Sequence, residues 1–520
     1  MLIIITILAL IALCISKLRR HPVDKLPGPP TLPFVGNLLT FVGTPEEMFE
    51  KFNSFARDFW PLYRTWQLNT PVIHPLLPEH VEKVLASSKN TQKSRDYRFV
   101  ESWLGTGLFT SNGAKWQERR KLLAPTFHLK VLEQFVPTIS DNAAVLAQKL
   151  QLLLCQSPNE PIDVVPLVTL CALDIICETA MGRSIRAQHK DSKNTEYVSS
   201  IHRIMDLIVY RAMRPWLHPH WIFRVSPTGR EFAKCLRTLH RFTRNVIDEK
   251  RLEREQGELE IKVVPSVPTS NGYEDPERIS VRNRLVFLDL LLKLNEWDCK
   301  LSDQEICEEV DTFMFGGHDT TSNSISWALF YLGCNLKIQE EVFNEIEGSD
   351  LSNENLNSFK LLDRVIKETL RLRPPAYMIF RLLEQPLQLD DVVYPSGTKV
   401  NIHIYDVQQN PAVFPNPEKF EPDRFLPENM EGRHPFSYIP FSGGPRNCVG
   451  QKFAVLEMKI VLATLIRRFR FESVDPEKHS KCAPDLVLRP KHGIHLRFTP
   501  REKLAGFEKG ENEEHCVTHL

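Results

Sequence analysis

The stretch whose reading decides the fold is Phe441-Ser-Gly-Gly-Pro-Arg-Asn-Cys-Val-Gly450. Gly443, Gly444 and Gly450 remove side-chain bulk and open backbone angles closed to other residues, and Pro445 stiffens the approach to Cys448. A loop of this kind can lie flat against a planar cofactor and aim one sulphur at its centre. Backbone N–H groups beside that sulphur, and a helix expected from about residue 449, would stabilise a thiolate. A lone cysteine is more commonly a small buried hydrophobe. The whole pattern F-x-x-G-x-R-x-C-x-G, however, fixes more residue types than a buried thiol requires.

Working outward, Glu309-Val-Asp-Thr-Phe-Met-Phe-Gly-Gly-His-Asp-Thr-Thr321 has a helical pattern interrupted by two glycines. Each costs roughly 1 kcal/mol relative to alanine inside a helix, so something large is expected to approach the backbone at Gly316 and Gly317. Thr320 can hydrogen-bond back to the helix and loosen it. With Asp319 it makes an acid–alcohol pair able to pass protons. In Glu368-Thr-Leu-Arg371 the i, i+3 spacing puts both charges on one helix face; taken alone this is an ordinary solvated pair worth little. In Trp116-Gln-Glu-Arg-Arg120 the i, i+4 spacing does the same, and a guanidinium suits a carboxylate because it donates paired hydrogen bonds.

These segments, in this order along nearly the whole chain, resemble the cytochrome P-450 superfamily of haem-thiolate monooxygenases. The resemblance implies a mainly α fold with small β-sheets (α+β), a single large haem domain behind an N-terminal membrane anchor. It implies that Cys448 is the axial thiolate of a haem b iron, a ligand that pushes electron density toward O–O cleavage, framed by Phe441, Gly444 and Gly450. Trp116 and Arg120 would be the first partners of the haem propionates, with Arg381 and Arg446 next. Phe420-Glu-Pro-Asp-Arg-Phe425 is similar to the family's meander motif, so Glu368, Arg371 and Arg424 read as a buried cluster supporting the haem side. Asp319 and Thr320 would be catalytic, and Phe315, Gly316, Ala376 and Phe380 would line the substrate cavity.

The 309–321 segment, with Leu170-Cys-Ala-Leu-Asp-Ile-Ile-Cys-Glu-Thr-Ala-Met181 and Phe287-Leu-Asp-Leu-Leu291, resembles family four, the fatty-acid omega-hydroxylases. Gly316 departs from it. Many family-four enzymes carry a glutamate there that can form an ester to a haem methyl, so here the haem is expected to be held by the thiolate and non-covalent contacts, with terminal-carbon specificity less firmly imposed. The implied activity is insertion of one oxygen atom from O2 into a medium- or long-chain fatty acid or related lipid, at or near its terminus. Electrons would come from NADPH through NADPH–cytochrome P-450 reductase, with cytochrome b5 as a further donor, since no flavin or nicotinamide module accompanies the haem domain. Arg119, Lys121 and Lys452 are candidate docking charges. The alternatives are a haem-thiolate isomerase or dehydratase acting on lipid peroxides, which would tend to lack the acid–alcohol pair, and a haem-binding protein without turnover.

Bulk properties agree with this class. The chain has 65 basic and 65 acidic residues, which argues against nucleic acid as the main partner. Its eleven cysteines form no CxxC pairs, unlike a secreted disulphide scaffold. Residues 2–15 are apolar apart from Thr6 and the mild Cys14 and are followed by Lys17, Arg19 and Arg20, which places positive charge on the cytoplasmic side of a retained anchor. The expected plan is an anchor over 1–16 in the endoplasmic reticulum membrane, a basic, Pro-rich linker over 17–33, the haem domain over 34–500 with a surface insert at 255–284, and a polar tail over 501–520, with the catalytic domain on the cytosolic face. Helical patterns cover 142–154, 165–181, 231–254, 303–332, 338–347 and 359–372. Short strands are expected at 400–404, near Ile73 and over 494–498.

Overall fold

The computed structural model of the chain describes residues 5, 6, 9, 21–33, 35–189, 192–256, 286–298 and 301–501. Its helices include α1 (Pro45–Asp58), α2 (Pro78–Leu85), α3 (Arg98–Leu104), α4 (Gly113–Leu123), α5 (Val136–Gln156), α6 (Val164–Thr179), α7 (Ser192–Ala212), α8 (Pro227–Glu255), α9 (Asp303–Cys334), α10 (Leu336–Ile346), α11 (Lys360–Leu372) and α12 (Gln451–Arg468). The strands that matter here are β1 (Leu62–Gln67), β2 (Thr70–Pro75), β3 (Ile162–Asp163), β4 (Ile379–Leu382), β5 (Lys399–Ile402), β6 (Phe469–Ser473), β7 (Cys482–Pro484), β8 (Leu488–Pro490) and β9 (His495–Pro500). Helices dominate and the sheets are small, as the sequence predicts.

The axis of the molecule is α9. It begins at a capping box, in which the Ser302 hydroxyl accepts from the Glu305 N–H and the Glu305 carboxylate accepts from the Ser302 N–H. From Thr321 to Gly333 every residue is buried. A helix covered all round belongs at the centre of a large core, and α6, apolar along most of its length, packs most extensively on it. The α12 helix closes the same core from the Cys448 side, with α5 behind it.

A separate, smaller core lies under a sheet of order β1-β2-β5-β4, antiparallel except for the parallel β2–β5 pair. β9 pairs with β3 and β6, and β7 with β8, which carries Arg489 beside α9.

Boundaries differ from expectation for local reasons. Helices α5 and α8 start earlier because Pro137 and Pro227 fall in their first turns, where a missing N–H costs nothing. The helix expected from 449 starts at Gln451, with Gly450 as its N-cap residue. The α9 helix runs unbroken through Gly316 and Gly317, so the expected local loosening is absent.

The segment read as a linker is docked on the sheet. Val23 is fully buried, the Pro27 carbonyl accepts from the Arg64 N–H at 2.9 Å, and the Pro30 carbonyl from Asn37 Nδ2 at 2.8 Å. Among the described residues no helix is long and apolar enough to cross a membrane. Most of the expected anchor, nearly all of the 255–284 insert and residues 502–520 of the tail lie outside the described residues.

Candidate active site

The Cys448 loop is held by its backbone. Ser442 and Gly444 have φ of 62° and 68°, and a Cβ built on Gly444 would stand 1.8 Å from the Leu85 carbonyl oxygen of α2. Only glycine can occupy that position. The Cys448 N–H donates to the Phe441 carbonyl at 2.9 Å, closing the loop on itself. Cys448 is surrounded by protein, and burial pushes its thiol up, while the Gly450 N–H and the Arg120 charge pull it down. Yet the residue counts among the exposed ones. Both descriptions hold if the sulphur borders an internal space. The α9 helix offers a matching observation: Gly316 is uncovered between buried Phe315 and buried His318, and a Cβ there would meet nothing within 4 Å.

Four cations gather beside this loop. An isolated bridge pairs Lys93 with Arg381 of β4. The Arg446 guanidinium lies 4.5 Å over the Trp116 ring of α4, and donates to the Thr91 carbonyl and Asn112 Oδ1, each at 3.2 Å, and to the Ser111 carbonyl. Arg120 donates to the Asn447 carbonyl and Oδ1 at 2.9 and 2.6 Å. Burial first, and then Arg446 and Arg381, push the Lys93 ammonium far down. Arg446 is pushed down to about 9, by burial and then by Arg381, with Arg120 adding to it. Among the described residues none of the four has a carboxylate partner. Buried like charges without counter-charge are costly, so the cluster is built for an anionic group. Sequence reasoning found Arg120, Arg381 and Arg446. It missed Lys93, which stands in no recognisable motif.

On α9, the Thr320 hydroxyl donates to the Gly316 carbonyl at 2.8 Å, as expected. Asp319 is buried, and its Oδ1 accepts from Arg489 Nη2 at 2.6 Å. Arg489 was not foreseen either, since it lies far away in sequence on a short strand. Phe315 packs against Trp103 and Phe109, with ring centroids 4.9 and 6.4 Å away. Phe380 meets Tyr97 edge-on at 6.0 Å, and Ala376 rests against the smaller core under the sheet. Phe315 thus joins an aromatic cluster with Trp103 of α3 and Phe109 of the loop after it, apart from Ala376 and Phe380.

The expected support cluster is assembled. Arg371 donates to both Glu368 oxygens at 2.7 and 2.9 Å, and Arg424 Nε lies 3.3 Å from Glu368 Oε1. Arg371 also donates to the Gln408 and Pro417 carbonyls, which ties α11 to the segments leading into the Cys448 loop.

The family model described as Cytochrome P450 matches residues 26–497. The chain belongs to the cytochrome P450 family. Relatives include cytochrome P450 4c3 of Drosophila melanogaster, 40% identical over 502 residues, covering 94% of this chain and 91% of the relative. Cytochrome P450 4c21 of Blattella germanica is 39% identical over 490 residues, covering 93% and 95%. Cytochrome P450 4V2 of Mus musculus is 40% identical over 480 residues, covering 91% and 89%. As a P450, the protein is a monooxygenase that binds haem b through a cysteine thiolate. The residues present fit that group. Cys448 is exposed, the α9 backbone at Gly316 is open to a group of some bulk, and the cations beside the loop have no carboxylate partner among the described residues.

One docking expectation is corrected. Arg119 is buried, paired with Glu305 and 3.8 Å from Glu309, so it cannot meet a partner protein. Lys121 and Lys452 are exposed.

Proposed function

We propose that this P450 hydroxylates a medium- or long-chain fatty acid or related lipid at or near its terminal carbon, at the endoplasmic reticulum membrane. The observation that carries the reading is the identity of about 40% over more than nine-tenths of the chain to family-four P450s, joined to an aromatic cluster of Phe315, Trp103 and Phe109 next to the open stretch of α9 at Gly316. Apolar lining with few polar groups suits an alkyl chain.

In this reading Cys448 is the thiolate ligand, and Arg120, Arg381, Arg446 and Trp116 hold the propionate edge, with Lys93 added. The haem, when bound, supplies the binding and reductive activation of O2. The chain's own part is to place the alkyl terminus, to exclude water with the aromatic cluster, and to deliver protons. Thr320, bonded to the Gly316 carbonyl on the less covered side of α9, would be the alcohol of this delivery and buried Asp319 its acid.

Electrons come from NADPH through a separate reductase, with cytochrome b5 as a second donor, docking near exposed Lys121 and Lys452. Exposed Trp216, Trp221 and Val225, clustered between α7 and α8, suit an aromatic belt at a bilayer surface and support the membrane placement alongside the N-terminal apolar stretch. Gly316 carries no carboxylate, so the haem is retained without an ester; acid–organic extraction should release all of it from the polypeptide.

The deciding experiment incubates the purified protein with reductase, NADPH and a graded panel of fatty acids, and locates the inserted oxygen by mass spectrometry. Terminal or near-terminal alcohols are expected. Turnover confined to compact polycyclic substrates would overturn the lipid reading.

A further inference from the structure

At the start of α3, away from the Phe315 cluster, two guanidiniums share a phenyl ring. Arg98 Cζ lies 4.9 Å from the Phe99 ring centroid, and Arg211 Cζ, at the end of α7, lies 5.3 Å from the same ring. Arg211 Cζ also stands 4.2 Å over the ring of Phe223, on the short helix His220–Val225. Arg211 is only 8% exposed. Its Nε donates to the Leu217 carbonyl and its Nη2 to the His218 carbonyl, each at 3.1 Å. Among the described residues its Nη1 has no hydrogen-bond partner, and neither arginine is paired with a carboxylate.

The groups facing this pair do not neutralise it. Burial, and then the Arg98 charge, lower Arg211, so the charge acting on it is a second cation. His218, its ring 5.0 Å from Phe99, can add only positive charge. Asp96, which acts on His218, is taken by Lys399 Nζ at 2.5 Å. Exposed Glu101 feels the Arg98 charge without pairing with it. A covered guanidinium with no counter-charge is costly, and one laid over a ring keeps its edge for donating to an oxyanion.

An apolar face leads inward from here. Phe99 and Trp103 are i, i+4 on α3, roughly 6 Å apart along its axis. Trp103 lies 4.9 Å from Phe315, next to the open stretch of α9 at Gly316. At the outer end, exposed Trp221 and Val225 stand on the same short helix as Phe223. Charge outside and rings inside match an amphiphile with an anionic head and an alkyl tail.

We propose that Arg98 and Arg211 bind the carboxylate of the fatty-acid substrate, Arg211 through Nη1, and that this anchor fixes which carbon of a given chain reaches the open stretch of α9. The proposal rests on the reading of the protein as a lipid hydroxylase and adds the head group to it.

The test uses the haem-loaded, full-length protein in phosphatidylcholine vesicles. Dissociation constants for palmitic acid, its methyl ester and hexadecanol are read from the change in haem absorbance on binding, without turnover. The wild type should bind the acid roughly tenfold or more tighter than the ester or the alcohol. Arg98→Gln and Arg211→Gln should each remove most of that preference by weakening the acid alone. Equal binding of all three by the wild type overturns the anchor. So does an equal loss for acid and ester in the variants, which would leave Arg211 as a brace for the turn at Leu217 and His218. If Arg211→Gln does not fold, Arg98→Gln on the exposed side decides alone. Repeating the series in phosphatidylserine vesicles separates the other source of an oxyanion: variants that lose affinity for those vesicles but keep the acid preference would assign the site to a bilayer phosphate and overturn the proposal. Failure of the lipid reading looks different. A wild type that binds none of the three lipids removes that reading and the anchor with it, whereas one that binds esters and alcohols as well as acids removes the anchor alone.

Discussion

Single residues around the Cys448 loop have effects out of proportion to their size. Adding one methyl at Gly444 would drive a Cβ into the Leu85 carbonyl at a φ that side chains rarely adopt. Gly444→Ala should therefore lose haem on gel filtration, seen as a collapsed haem absorbance per protein, and lower the urea midpoint. Glu368 sits between two buried guanidiniums. Glu368→Gln leaves their charge uncompensated and should cost about 3–5 kcal/mol of stability by urea titration. Lys93 presents the opposite case. It is buried among like charges, so Lys93→Met should stabilise the haem-free protein by about 1–3 kcal/mol while weakening haem retention. A melting curve of each form, with and without haem, reads both effects.

At the scale of the element, α9 shows how two adjacent glycines can have different reasons to exist. A Cβ on Gly317 would stand 2.5 Å from the Ile176 side chain of α6, whereas one on Gly316 meets nothing within 4 Å. Gly317→Ala should thus destabilise by about 1–3 kcal/mol through overpacking, and Gly316→Ala should gain up to about 1 kcal/mol from helix propensity. The sequence showed both as one feature, a backbone left bare for a cofactor. Only packing separates the helix–helix contact from the open face. The same limit explains Lys93 and Arg489: their importance depends on neighbours hundreds of positions away, while the Cys448 loop and Glu368–Arg371 are local patterns and could be read directly. The α9 helix also carries an alkaline liability. Burial pushes Asp311 from its ordinary 3.8 up to about 8, against the Thr243 hydroxyl bond. Between those values the folded protein keeps a proton that the unfolded chain releases, so the contribution is full at low pH and is lost as pH rises through about 8. Asp311→Asn should flatten that decline in urea midpoints measured across pH.

For the molecule as a whole, the two cores meet at the site: α9 and α12 belong to the large one, while β4 and the chain near Ala376 belong to the small one. Haem binding is therefore expected to raise the melting temperature of both together, since a ligand taken only by the folded state stabilises by mass action. The small core also reaches toward the N-terminus, through the buried Val23 and the backbone bonds from Pro27 and Pro30. That docking has a practical side for anyone shortening the chain. A cut before His21 leaves the strap in place. A cut at Pro33, where the proline run looks like free spacer, strips a fully buried valine worth about 1.5–3 kcal/mol and uncovers the edge of the sheet. The Pro-rich linker is a clasp, and whatever is fused ahead of it will leave the body from that one edge.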